Sequence, residues 1–80
     1  AVTAFGVALD ALAAVGFSAV DVVRTRMYVV RADDIDVVAS AHGQLFGSAP
    51  PASTVVVVAG LIDPRMLVEV EVEAYRDGPT

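Results

Sequence analysis

Two rhythms of apolar and polar residues run along the chain, and each predicts an element. Over residues 1–15, Phe5, Leu9, Leu12 and Val15 recur at helical spacing with alanines on the flanks and Asp10 as the only charge. That predicts a helix, with Gly16 just past its end and Phe17 folding back on the last turn. Ser18, with Asp21 three residues on, has the form of a weak cap. From Asp21 to Val30 the period becomes two. Val23, Thr25, Met27 and Val29 fall on one side of a strand, and Arg24, Arg26 and Tyr28 on the other. Asp33 and Asp34 suit the start of a second helix. There Ile35, Val38, His42 and Leu45 share a side, with Phe46 beside them, and Gly47 stops it.

The stretch from Pro50 to Tyr75 organises the rest. After Pro50-Pro51-Ala52-Ser53 comes Thr54-Val55-Val56-Val57-Val58, an unbroken apolar run that wants apolar surroundings on both sides. A turn at Gly60-Leu61-Ile62-Asp63-Pro64-Arg65 leads to the tail Leu67 to Tyr75. In the tail, Val68, Val70 and Val72 alternate with Glu69, Glu71 and Glu73, a pattern that only a strand sorts onto two faces. The valine run and the tail are expected as a β-hairpin, or as neighbours in one sheet. The order helix, strand, helix, strand, strand predicts an α+β fold with two helices on one face of the sheet. The other face would carry Arg24, Arg26, Tyr28 and the three glutamates, where opposite charges across neighbouring strands compensate each other.

Composition changes the picture in two ways. A single domain of 80 residues buries only about 60 to 65% of its unfolded surface. Yet 56% of the residues are hydrophobic, against the ~45–50% usual for soluble domains. This favours both self-association and a domain, 1–80, that is N-terminally incomplete. The formal charge of −5, with five scattered arginines and no lysine, weighs against nucleic acid. No apolar run reaches the ~18 residues of a membrane span, and no basic region makes the start a signal peptide. The absence of cysteine excludes disulfide and thiolate chemistry and fits a reducing compartment.

Several segments together resemble the RidA family, also called YjgF or endoribonuclease L-PSP. Asp21 to Val29 is similar to its "DVVKTTVFV" strand, and Asp34 to Phe46 to its "DF..VN..Y..FF" helix. Pro51-Ala52-Ser53-Thr54 is similar to "PARS", and Leu67-Val68-Glu69-Val70-Glu71 to "VEIEA". The resemblance implies a chorismate-mutase-like fold, of which this chain lacks the N-terminal β-hairpin. It further implies a cytoplasmic homotrimer with small-molecule clefts between subunits. Active members hydrolyse enamine and imine intermediates (2-iminobutanoate/2-iminopropanoate deaminase activity) without a cofactor. The "PAR" arginine grips the substrate carboxylate by a bidentate contact, and a glutamate late in the last strand places the attacking water.

Carried over position by position, the catalytic carboxylate is Glu71, with Glu69 and Glu73 as alternatives one register step away, and Ser53, Thr54, Val55 (through its backbone amide) and Ala39 border the substrate. Here Ser53 stands where the family has arginine, Ala39 where it has asparagine, and His42 where it has an aromatic. A hydroxyl supplies one hydrogen bond and no charge, and the change loses a few kcal/mol by order of magnitude. Arg24, Arg26 and Arg65 have no motif support as replacements. Two readings therefore stand: an imine hydrolase, or a non-catalytic binding or scaffold trimer for a less acidic molecule. Ribonuclease action follows from the family label alone, and the acidic charge counts against it.

Each candidate also has a structural reading. Ser53 suits a turn before a strand, and Glu71 suits a sheet-face carboxylate paired with Arg24 or Arg26. His42 suits a packed histidine with one satisfied nitrogen. A metal site is not expected, because same-face glutamates on one strand lie ~6.6 Å apart.

Overall fold

The computed structural model describes residues 2–76. Helix α1 (Val2–Ala14) is followed by strand β1 (Val22–Val29), helix α2 (Ile35–Phe46), and strands β2 (Ala52–Val57) and β3 (Val68–Ala74). Among the described residues no helix is long and apolar enough to cross a membrane.

Helix α1 ends as its sequence predicts. Gly16 takes φ +90°, and the amides of Gly16 and Phe17 donate to the carbonyls of Ala13 (3.1 Å) and Leu12 (2.9 Å). This paired closure satisfies two carbonyls that the helix cannot reach itself. Phe5 is fully buried and Leu9 and Leu12 pack beside it, but Val15 is exposed, because the chain leaves the helix there. Ser18 and Asp21 frame a short 3-10 turn in which the Ser18 amide donates to the Asp21 carboxylate at 2.9 Å. The Arg76 guanidinium also donates to Asp21, at 2.6 Å, and ties the end of β3 to the start of β1. The Arg76 bond, then the Ser18 amide, hold the Asp21 carboxyl down at about 2.

The sheet order is β2-β1-β3, with β1 parallel to β2 and antiparallel to β3. The expected hairpin between the valine run and the tail is therefore not formed. The segment 58–67 instead passes across the end of β1. Its ends are fastened there by the Val58 amide on the Val29 carbonyl (2.8 Å) and the Val30 amide on the Leu67 carbonyl (3.1 Å). Strand, helix and strand from β1 through α2 to β2 make a crossover unit, and such a connection returns the chain parallel. The valine run thus forms an edge strand, with Val56 and Val57 exposed rather than enclosed on both sides.

On the helix-facing side of the sheet Thr25, Met27 and Val29 are buried, and Val68, Val70 and Val72 pack against the core beside them. Val23 is not part of this row. A register irregularity between Val22 and Arg24 turns Val22 inward and leaves Val23 exposed. Val38, Ala41 and Phe46 of α2 complete the core with Phe5. Asp34 holds the first position before α2 without a side-chain cap, because a 3-10 turn over Ala32–Asp34 already leads into the helix. Gly47 ends α2 with ordinary helical φ; glycine fits because a Cβ there would lie 2.5 Å from the Gly43 carbonyl oxygen.

Candidate functional site

The two faces of the sheet carry different chemistry. On the helix side Ser53, second in β2, stands opposite Thr25 of β1, and α2 lays His42 over both. Thr25 is wholly buried. Its Oγ1 lies 2.8 Å from His42 Nε2 and donates to Ser53 Oγ at 3.0 Å; Ser53 Oγ is 3.1 Å from the same nitrogen and donates to the Pro51 carbonyl at 3.1 Å. For Thr25 to donate to Ser53, Nε2 must carry the imidazole proton, so the donation runs from His42 through Thr25 and Ser53 to Pro51. Phe5 meets the His42 ring edge-on at 5.8 Å between centroids, and Phe46 lies at 4.8 Å. Burial among these groups pushes the imidazole pKa below its ordinary value of 6.5, which favours the neutral ring.

Ser53 therefore has both its donor and its acceptor engaged within the subunit. Backbone groups remain. The Val58 amide points to β1, and alternation along the strand turns the amides of Ser53, Val55 and Val57 to the free edge of β2. The Val55 side chain packs against the core, and Ala39 is exposed on α2 one turn before His42.

The open face holds Glu71. Register places Thr54, Arg26 and Glu71 in one row across β2, β1 and β3, with Tyr28 facing Val56 and Glu69 in the next. The Tyr28 hydroxyl donates diagonally to Glu71 Oε1. That bond is the main reason its pKa lies above the ordinary value of 10.0, with burial adding to it. Arg26 is raised chiefly by its own hydrogen bond to Tyr28. Arg24 pairs with Glu73 at 3.6 Å, so the ion pair expected for Glu71 falls one position along, and Glu71's bonded partner is the tyrosine.

Of the expected site residues, Glu71 and Thr54 share the open face, whereas the Ser53 hydroxyl lies on the opposite side of the sheet. One subunit does not bring Ser53 and Glu71 together. An open cavity of about 490 Å³, between Ala4 and Val7 of α1 and residues Leu67 to Val70, is lined by none of the five expected residues. Thr25 and Tyr28 are the contributors that sequence reasoning did not single out, whereas Arg26 was expected as an ion-pair partner of Glu71. Thr25 had a signal, as the one hydroxyl in an otherwise apolar row.

Comparison with known proteins bears on all of this. The profile of the family described as Endoribonuclease L-PSP matches residues 1–76. An uncharacterized protein of Streptomyces coelicolor is 49% identical over 73 residues, which are 91% of this chain and 54% of that protein. A crystal structure from Mycobacterium tuberculosis, of a member of the YjgF/YER057c/UK114 family, superposes with TM-score 0.82 at 41% identity. It covers 85% of this chain and 58% of that one. A Pseudomonas aeruginosa protein of unknown function gives TM-score 0.85 at 32% identity, over 91% and 53% of the two chains. The chain spans little more than half the length of the relatives it matches.

Proposed function

The chain belongs to the RidA (YjgF, endoribonuclease L-PSP) family, and from that premise we propose that it forms a homotrimer with small-molecule clefts between subunits, in which enamine or imine acids are hydrolysed. The observation that carries the reading is the placement of Glu71 on a sheet face that no helix of its own subunit covers, in a row with Thr54 and Arg26. A copy seated against that face would complete a cleft, and the exposed Val56 on the same face favours such a contact. In the reaction a water held by the Glu71 carboxylate adds its oxygen to the imine carbon. The carbon–nitrogen bond then breaks, and a keto acid and ammonia leave. The Val55 amide on the free edge of β2 is the candidate donor to the substrate carboxylate.

A second reading is favoured by a different observation. The hydroxyl at the family's arginine position is spent inside the subunit on Thr25, His42 and Pro51, and supplies no charge. On that reading the cleft binds a less acidic molecule without turnover. Freshly generated 2-iminopropanoate separates the two: accelerated ammonia release, abolished in Glu71→Ala, supports hydrolysis. Ammonia release at the uncatalysed rate overturns it and leaves the binding trimer.

A further inference from the structure

Arg26 and Tyr28 stand two residues apart on the open face of β1, Arg26 opposite Glu71 in the register and Tyr28 bonded to its carboxylate. Tyr28 holds the Arg26 guanidinium in its charged form, and the Tyr28 hydroxyl donates to Glu71 Oε1. A tyrosine reaches a residue diagonally across an antiparallel pair, where a shorter side chain falls short. We propose that Tyr28, backed by Arg26, is a positioning residue for Glu71. It engages one carboxylate oxygen and leaves Oε2 as the oxygen that accepts a hydrogen bond from water. The role given to Glu71 rests on the hydrolytic reading; the contact itself does not.

The arrangement supplies what a lone sheet-face glutamate lacks. A glutamate side chain has three torsions, and on an uncovered face it samples several rotamers. A donor fixed to the sheet by a planar ring selects one of them, and the guanidinium behind it polarises the phenol toward donation. The other charged groups around Glu71 are Glu69 and Glu73 on its own strand and Arg24 on β1, the last already paired with Glu73. From β2 the open face receives only Ala52, Thr54 and Val56, none charged. Tyr28 is thus the hydroxyl donor to Glu71, while Arg26 is the guanidinium behind the phenol.

The test reads Tyr28 directly, by ultraviolet titration of tyrosinate in the full chain with Tyr75→Phe as background, since Tyr28 and Tyr75 are the two tyrosines. Glu71→Gln is expected to lower the Tyr28 midpoint, because the bond to the carboxylate is what chiefly raises it. Arg26→Gln is expected to raise it, because the guanidinium stabilises the phenolate. The two substitutions should therefore move the midpoint in opposite directions. Mere burial of the phenol would not give opposite signs. In the imine assay Tyr28→Phe is expected to lower kcat about tenfold with KM unchanged, since the loss falls on water placement rather than on substrate binding. An unchanged Tyr28 midpoint in Glu71→Gln, or an unchanged kcat in Tyr28→Phe, overturns the proposal. Should the parent chain show no turnover, the hydrolytic reading falls by itself and the titration alone decides the contact.

Discussion

Replacing Thr25 by valine removes one oxygen from the interior and nearly nothing else, so its cost reports what the buried hydroxyl contributes. Thr25 is fully buried and makes two hydrogen bonds, to His42 Nε2 at 2.8 Å and to Ser53 Oγ at 3.0 Å. At about 1 kcal/mol of net stability each, their loss costs about 2 kcal/mol. The methyl that takes the oxygen's place is itself buried and returns about 0.8 kcal/mol. His42 Nε2 keeps Ser53 within 3.1 Å, so the imidazole is not left wholly without a partner. The expected net loss for Thr25→Val is therefore about 1 to 2 kcal/mol. Urea unfolding, followed at one fixed protomer concentration because association would add to apparent stability, gives the number. Ser53→Ala should cost less on its own, since Ser53 is exposed. The two substitutions should be sub-additive by about 0.5–1 kcal/mol, because they share a bond. A Thr25→Val protein as stable as the parent would refute the hydrogen-bonded chain.

Further outcomes follow from single features. Because burial depresses the His42 pKa, the unfolded chain takes up a proton below the ordinary value of 6.5 while the folded one resists it. Stability contributed by the neutral imidazole is thus present above pH 6.5 and is lost as pH falls below it; in His42→Gln, thermal unfolding between pH 7 and 5 should show a flatter slope. Gly47→Ala should destabilise by about 1–3 kcal/mol, as its Cβ would meet backbone at 2.5 Å. Gly16→Ala should cost about 1 kcal/mol because of the positive φ, although open space surrounds it. Chemical denaturation of both variants checks these two.

The elements were legible because each carries a clean period. The Val/Glu tail is a strand with its valines packed and its glutamates on the opposite face, and Arg24, Arg26 and Tyr28 do face those glutamates across the ladder. The pairing of strands was less legible. A turn rich in Gly, Asp and Pro between two strand-like runs looks like a hairpin. The chain nevertheless places β1 between them, since the centre of the sheet goes to the strand whose Thr25, Met27 and Val29 can be fully buried. The strand–helix–strand order from β1 to β2 was the available signal for a parallel pair. Val23 was misassigned by one residue because a bulge breaks the period where the strand begins. At the candidate site, Ser53 and Glu71 are one strand apart from β1 on either side, and register, not sequence, decides that they point to opposite faces. The contact between Ser53 and His42 joins residues 11 apart, Thr25 bonds to both, and no local pattern encodes it.

The most direct test of the account is the mass of the particle the chain forms in solution, by native mass spectrometry or light scattering over a dilution series. A mass of three protomers that persists on dilution is the predicted result, because Glu71's face and the valine edge of β2 then have sister copies against them. A chain that stays folded as a monomer would contradict it, and the shared cleft would go with it.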